Sequence, residues 1–284
     1  MSTHDYQNVK IEREGAITFL MLNRPEKRNA MSPALHYEME DALTWLATDD
    51  ETGVLVLGGE GESWCAGQDL KLYFRETANN PAERRRSNAA SHHWRWDILT
   101  RFPKPTVAMV NGFCFGAAFT QLSAVDFALA AEDATFGLSE VNWGIIPGGI
   151  VSWNLTDMML PRHAMYYAAT GESFNGKRAV ELGLVNFAYP KEQLREETVK
   201  LANKLLKLNP SVLRYTKEAV RSVRGMSAEQ ARDYLGSKQD SLHRHDKEIA
   251  DKVGMKQFLD DKSYRPGLGP FQSKAGQKTG QGQG

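Results

Sequence analysis

Along the first twenty-two residues, VKIERE mixes apolar with charged positions and AITFLML follows it across Gly15, almost wholly apolar. Two short runs rich in β-branched and aromatic residues around a glycine predict a strand pair. Pro25 ends that pattern, and Ser32-Pro33 opens a helix in the cap-then-proline manner, continued by HYEMEDALTWLA at roughly helical spacing. GVLVLGG then reads as a short buried strand and WCAGQDL as a turn into another helix. PTVAMVNG and GAAFTQLSAVD repeat the strand, turn and helix order, and FALAAEDATFGLSE adds two more short strands. Short apolar strands alternating with helices predict an α/β fold with crossover connections.

The pattern changes near Glu192. KEQLREETVKLANKLLKL, PSVLRYTKEAVRSV and the long charged run after them carry helical spacing and no strand signal. The chain is therefore expected to divide into a core at 1–195, a helical region at 196–265 and a tail at 266–284. The tail, ending SKAGQKTGQGQG, lacks hydrophobic anchors and is expected to be disordered.

Composition removes several function classes. With 284 residues, 41% hydrophobic and 25% charged, the chain is long enough to bury a full core. Lys plus Arg and Asp plus Glu number 35 each, so nothing points to nucleic acid or an acidic membrane. The first fifteen residues lack a basic-then-apolar leader, and no apolar run is long enough to span a bilayer. Cys65 and Cys114 form neither a disulfide framework nor a metal pattern. A reducing cytoplasm is the expected location.

Three segments carry candidate chemistry. FGLSEVNWGIIPGG, residues 136–149, holds one ionisable group, Glu140, with no cation in the segment to neutralise it. An unpaired carboxylate in apolar surroundings gains a polar partner or a raised pKa. AGQDL (66–70) and NGFCFGAAF (111–119) each lead a strand into a helix through small residues. A helix start leaves backbone N–H groups without internal partners, and small residues let a ligand oxygen approach them. Two such turns face to face would hold a developing oxyanion, each donor worth about 3–4 kcal/mol in the transition state.

In this order and spacing, NRPEKRNAMS, AGQDL, VNGFCFGAAF and ATFGLSEVNWGIIPGG resemble the enoyl-CoA hydratase/isomerase (crotonase) superfamily, across roughly residues 8 to 265. The resemblance implies an α/β spiral of ββα turns with a C-terminal helical region that builds homotrimers, often paired into hexamers. It implies an acyl-CoA substrate whose thioester carbonyl sits between the N–H groups of Gln68 and Ala117. CoA would lie along Lys27, Arg28 and Ala30, with Ala66 and Leu70 lining its pantetheine end, and Glu140 would be the catalytic acid or base. No metal or redox cofactor is implied, CoA being part of the substrate.

Simple hydratases of this superfamily commonly carry a second glutamate where this chain has Thr120, which cannot serve as a general base at neutral pH. A one-glutamate enzyme needs a substrate that stabilises a β-carbon cation by itself, as a para-hydroxyphenyl group does through a quinone methide. The blocks NRPEKRNAMSP, AGQDLKLYFRE, MVNGFCFGAAF, FGLSEVNWGIIPGG and GMKQFLDDKSYRPGL resemble the hydroxycinnamoyl-CoA hydratase-lyases. That branch hydrates a 4-hydroxycinnamoyl-CoA such as feruloyl-CoA and cleaves it to an aromatic aldehyde, vanillin, and acetyl-CoA. Tyr73, Thr120, Ser139 and Trp143 match its pocket-lining positions.

One position departs from the branch. Where it places a phenol-binding tyrosine, this chain reads DYLGSK, with Gly236 at the expected site and Tyr234 two residues earlier. Tyr234 is the first candidate to bind the phenol instead, with Tyr73, a histidine or a different substrate as alternatives. Two positions along a helix differ by about 200° in direction, so Tyr234 reaches the site only if the helix breaks at Gly236. Other crotonase reactions (hydration alone, isomerisation, thioester hydrolysis) stay open, as does a silent CoA-binding protein. Asp69 is expected to cap the helix after the first turn. Cys65, Cys114, Trp94 and Trp96 are read as packing or interface residues, and His92 and His93 as surface or interface. His243 and His245 lack the i, i+4 spacing of a helical metal site.

Overall fold

The computed structural model describes residues 5–263, and the tail at 266–284 lies outside the described residues. The described residues gather into two compact units. One comprises those in Met1–Phe102 and Thr106–Val199, the other those in Pro103–Pro105 and Lys200–Gly284.

The first unit carries ten strands: β1 (Val9–Glu14), β2 (Ile17–Leu22), β3 (Val54–Gly59), β4 (Ser63–Cys65), β5 (Thr106–Val110), β6 (Phe113–Phe115), β7 (Phe127–Ala131), β8 (Thr135–Gly137), β9 (Ser173–Asn175) and β10 (Phe187–Tyr189). Its helices are α1 (Pro33–Thr48), α2 (Pro81–His92), α3 (Leu99–Arg101), α4 (Ala118–Ala124), α5 (Val151–Met158), α6 (Pro161–Thr170) and α7 (Gly176–Glu181), and α8 (Leu194–Leu206) carries the chain into the second unit. A six-stranded sheet runs β1-β2-β3-β5-β7-β10 and a four-stranded sheet β4-β6-β8-β9. The β1/β2 hairpin, the strand pair expected around Gly15, pairs antiparallel, while β2, β3, β5, β7 and β10 run parallel. All residues of β2, β3 and β5 are buried, which is why they read as unbroken apolar runs.

Three times the chain leaves the large sheet for the small one and then turns toward a helix: β3 to β4, β5 to β6, β7 to β8. This repeated ββα unit is the spiral that the family resemblance implies. Parallel pairing sets Cys65 beside Cys114, Cys114 beside Phe136 and Phe115 beside Gly137. The ends of β4, β6 and β8 therefore lie level, and the three turns that follow them share one edge of the small sheet.

Local chemistry fixes the helices. Ser32 accepts a hydrogen bond from the Leu35 N–H at 3.2 Å, capping α1, and Leu35, Met39, Leu43 and Leu46 form its buried stripe. Asp69 caps the helix after the first turn, accepting from Lys71 and Leu72 N–H at 3.1 and 2.9 Å. That helix, Leu70–Arg75, is a wide π turn: the Glu76 N–H reaches the Lys71 carbonyl five residues back, at 2.9 Å.

The second unit holds α9 (Pro210–Ser222), α10 (Ala228–His245) and α11 (Ala250–Leu259). Ser227 and Gln230 form a capping box at the start of α10, and Lys238 pairs with Glu218 of α9 at 2.6 Å. Helix α10 runs unbroken through Gly236, so the break that would redirect Tyr234 does not occur. The Tyr234 hydroxyl instead donates to the Ser222 Oγ at 2.9 Å.

Candidate active site

The first turn is held by a strand-like bridge. The Met31 N–H donates to the Gly67 carbonyl at 2.8 Å and the Asp69 N–H to the Met31 carbonyl at 3.0 Å. Successive N–H groups in extended chain point to opposite sides, so the Gln68 N–H between them faces away from Met31. Among the described residues it donates to no backbone carbonyl, and the same holds for the Ala117 N–H. The two turns are adjacent: a Cβ on Gly67 would stand 2.9 Å from the Phe115 carbonyl oxygen and 3.5 Å from the Ala117 nitrogen. Gly67 also has φ +90°, so this approach requires glycine.

Glu140 sits on the third turn, a short helix over Ser139–Trp143 that follows β8. Its carboxyl lies against Gly116, where an added Cβ would be 3.0 Å from Oε1. Oε2 is buried without a hydrogen-bond partner, and burial raises the carboxyl's pKa above the ordinary glutamate value. The carboxyl is thus poised to bind or release a proton beside the two free N–H groups, as general acid–base work requires.

Behind the turns runs a hydrogen-bonded chain. The Trp94 indole N–H donates to His36 Nδ1 at 2.8 Å, and an indole only donates, so the imidazole proton is on Nε2. His36 Nε2 then donates to Gln68 Oε1 at 2.8 Å, and Gln68 Nε2 donates to Ser91 Oγ at 3.0 Å. Arg95 meets the same Ser91 Oγ at 2.7 Å and the Ala117 carbonyl at 2.9 Å. Burial first, and Arg95 second, push the His36 pKa down to about 3, which keeps it neutral. The chain ties the side chain of one turn to the carbonyl of the other, so both are braced against movement.

A cavity of about 670 Å³, the size of a small-ligand site, opens over these groups. It brings together Arg28, Ala66, Gln68, Leu70, Tyr73, Ala117, Thr120, Ser139, Glu140 and Trp143 from the residues singled out in the sequence. Lys27 and Ala30 lie outside its lining, on the loop that carries Arg28. That loop is tied to the first turn where the Ala66 N–H donates to the Arg28 carbonyl at 3.0 Å, and Arg28 stacks over Phe113. Tyr234 belongs to the second unit.

His92, read as a surface or interface residue, is exposed and also borders the cavity. Cys65, Cys114 and Trp94 are fully buried, as packing residues are. His36, Ser91 and Arg95 escaped the sequence reading. Arg95 lies in SHHWRWD between two tryptophans, and a lone cation there was its only signal.

The described residues contain no cluster of metal-ligating side chains, and none of their helices is long and apolar enough to cross a membrane.

A family model described as enoyl-CoA hydratase/isomerase matches residues 12–265. A hydroxycinnamoyl-CoA hydratase-lyase from Pseudomonas fluorescens is 50% identical over 273 residues, covering 94% of this chain and 98% of that protein. A crotonyl-CoA hydratase from Syntrophomonas wolfei is 31% identical over 215 residues, covering 75% and 81%. Among solved structures, an enoyl-CoA hydratase subunit from Geobacillus kaustophilus superposes with a TM-score of 0.81 at 30% identity, over 90% of this chain and 96% of that one. With a spiral of ββα units, two adjacent turns whose N–H groups meet no backbone carbonyl and a desolvated glutamate against them, the chain belongs to the enoyl-CoA hydratase/isomerase family.

Proposed function

We propose that the protein is a hydroxycinnamoyl-CoA hydratase-lyase, adding water to a 4-hydroxycinnamoyl-CoA such as feruloyl-CoA and cleaving the product to vanillin and acetyl-CoA. The observation that carries this reading is the cavity's acid inventory. Glu140 is the one carboxylic acid among its described lining residues, and neutral Thr120 occupies the wall where a second acid would serve a simple hydratase. The full-length likeness to the Pseudomonas fluorescens relative supports the same assignment.

In this account the thioester oxygen accepts from the N–H groups of Gln68 and Ala117, which stabilise the enolate formed in both half-reactions. During hydration, loss of the phenolic proton lets the ring push electrons toward the α carbon, which takes a proton from Glu140. Water then adds at the β carbon of the quinone methide and returns a proton to Glu140. The protonated Glu140 then releases its proton to solvent, and during cleavage the carboxylate receives the β-hydroxyl proton as the bond between the α and β carbons breaks. The aldehyde forms, and the same proton passes to the α carbon of the acetyl-CoA enolate. Protons balance in each half, so one carboxyl suffices.

Lys27, Arg28 and Ala30 are proposed to hold CoA and Ala66 and Leu70 its pantetheine end, with Tyr73, Thr120, Ser139 and Trp143 around the acyl group. No metal or redox cofactor is needed by this chemistry. A homotrimer or hexamer built through the helical region is proposed, supported by exposed apolar residues there such as Val220 and Leu235. A cytoplasmic location accords with two cysteines that are both free. Incubation with feruloyl-CoA tests the reading: vanillin and acetyl-CoA should appear in equal amounts, and thioester consumption without aldehyde would refute the cleavage step.

A further inference from the structure

Arg95 is a cation that the fold does not neutralise. Three of its five N–H donors are engaged, by the Ser91 carbonyl at 2.9 Å, the Ser91 Oγ and the Ala117 carbonyl. No carboxylate among the described residues lies within ion-pair distance, and the side chain lines the cavity. The Thr120 N–H reaches the same Ala117 carbonyl at 3.2 Å, which puts Thr120 beside the guanidinium. An acid at that position would pair with Arg95; threonine leaves the charge unspent. Burial lowers the Arg95 pKa to about 10, with Tyr73 the strongest opposing influence, so the guanidinium and the Tyr73 phenol share one wall. A desolvated charge without a partner is costly until a ligand brings the opposite one.

We infer that Arg95 forms a phenolate subsite: its two spare N–H groups donate to the 4-oxygen of the hydroxycinnamoyl ring and select acyl groups that end in an anionic oxygen. This rests on the substrate reading above. The phenolic proton leaves to solvent on binding, and the ring oxygen accepts from Arg95 both as phenolate and as the carbonyl of the quinone methide. The Tyr73 hydroxyl donates to Asn88 Oδ1 at 2.6 Å, which leaves its lone pairs rather than its proton for the ring. Arg84 and His92 also face the cavity but are exposed, whereas Ser91 and Ala117 hold the Arg95 fork in place. In a site whose one acid is Glu140, the specificity-determining charge on the acyl side is therefore Arg95.

The test is the titration of feruloyl-CoA bound to the E140Q protein, read from the red-shifted absorbance of its phenolate. The bound phenol should titrate about one unit or more below free feruloyl-CoA, the effect of an opposite charge in contact. In E140Q/R95Q the shift should vanish, and in E140Q/R95K it should shrink without disappearing. With Glu140 intact, R95Q should lower kcat/KM for feruloyl-CoA about ten- to a hundredfold, a loss that R95K, which keeps the charge, should partly restore. A bound phenol that titrates at or above the free value, or a shift that survives R95Q, overturns the assignment. Should R95Q not fold, an undiminished shift in E140Q/R95K overturns it equally. If the unmodified protein turns over no hydroxycinnamoyl thioester, the substrate reading fails instead, and the two failures are distinct.

Discussion

Gly67→Ala separates the geometry of the oxyanion site from the stability of the fold. Gly67 sits at φ +90°, where an alanine costs about 1–2 kcal/mol. Its new Cβ would meet the Phe115 carbonyl at 2.9 Å, and backbone atoms can relieve that contact only by moving the turns apart. The atom 3.5 Å away is the Ala117 nitrogen, one of the two proposed donors, and the other belongs to the very next residue. Strain alone should lower Tm by roughly 3–6 °C in a chain of this length. Misplacing one donor should remove about 3–4 kcal/mol of transition-state stabilisation, a fall of roughly two to three orders of magnitude in kcat. Steady-state assay of feruloyl-CoA beside thermal unfolding measures both. A variant that loses the expected stability yet keeps kcat within about threefold would show that these turns do not hold the oxyanion.

Ala117→Pro deletes the second donor and should cost about a hundredfold or more in kcat, while Ala117→Gly should stay within a few fold, both read from initial rates on the folded variants. Glu140→Gln should abolish turnover but keep acetyl-CoA binding. In the parent enzyme, kcat/KM should fall as pH rises through the Glu140 pKa, which burial sets above the ordinary 4.5, since hydration begins with the protonated carboxyl. The cost of burying that charge is absent below pH 4.5 and present above the raised folded pKa. Glu140→Gln should therefore gain stability over the parent as pH rises through that window, measured by urea unfolding. His36, held near a pKa of 3 against 6.5 when unfolded, stabilises fully above pH 6.5 and loses that contribution as pH falls toward 3. Between pH 7 and pH 5 the loss should be about 2 kcal/mol by urea unfolding, and His36→Gln should remove that part of the acid sensitivity.

Glu140 and the two turns were legible because their signals are local. A lone acid among glycines and apolar residues, and small residues at strand-to-helix turns, mean something without knowledge of the neighbours. The core strands were legible for the same reason, since buried parallel strands are largely apolar, whereas their order across two sheets was not. The bracing chain was not. His36 lies on α1, Gln68 on the first turn and Arg95 beyond α2, so their meeting depends on tertiary packing that no spacing encodes. Arg95 went unread because its sequence neighbours, His92, His93, Trp94 and Trp96, draw attention to histidine and tryptophan. Lys27 and Ala30 failed to reach the cavity lining because the left-handed residues Arg28 and Asn29 turn the loop between them.

The central claim is that a single carboxyl is enough because the ring supplies the electron push through its free 4-hydroxyl. The ratio of kcat/KM for feruloyl-CoA to that for cinnamoyl-CoA, which lacks the hydroxyl, tests it most directly. The account predicts rapid conversion of feruloyl-CoA to vanillin and no measurable turnover of cinnamoyl-CoA. Comparable rates on the two thioesters would contradict it.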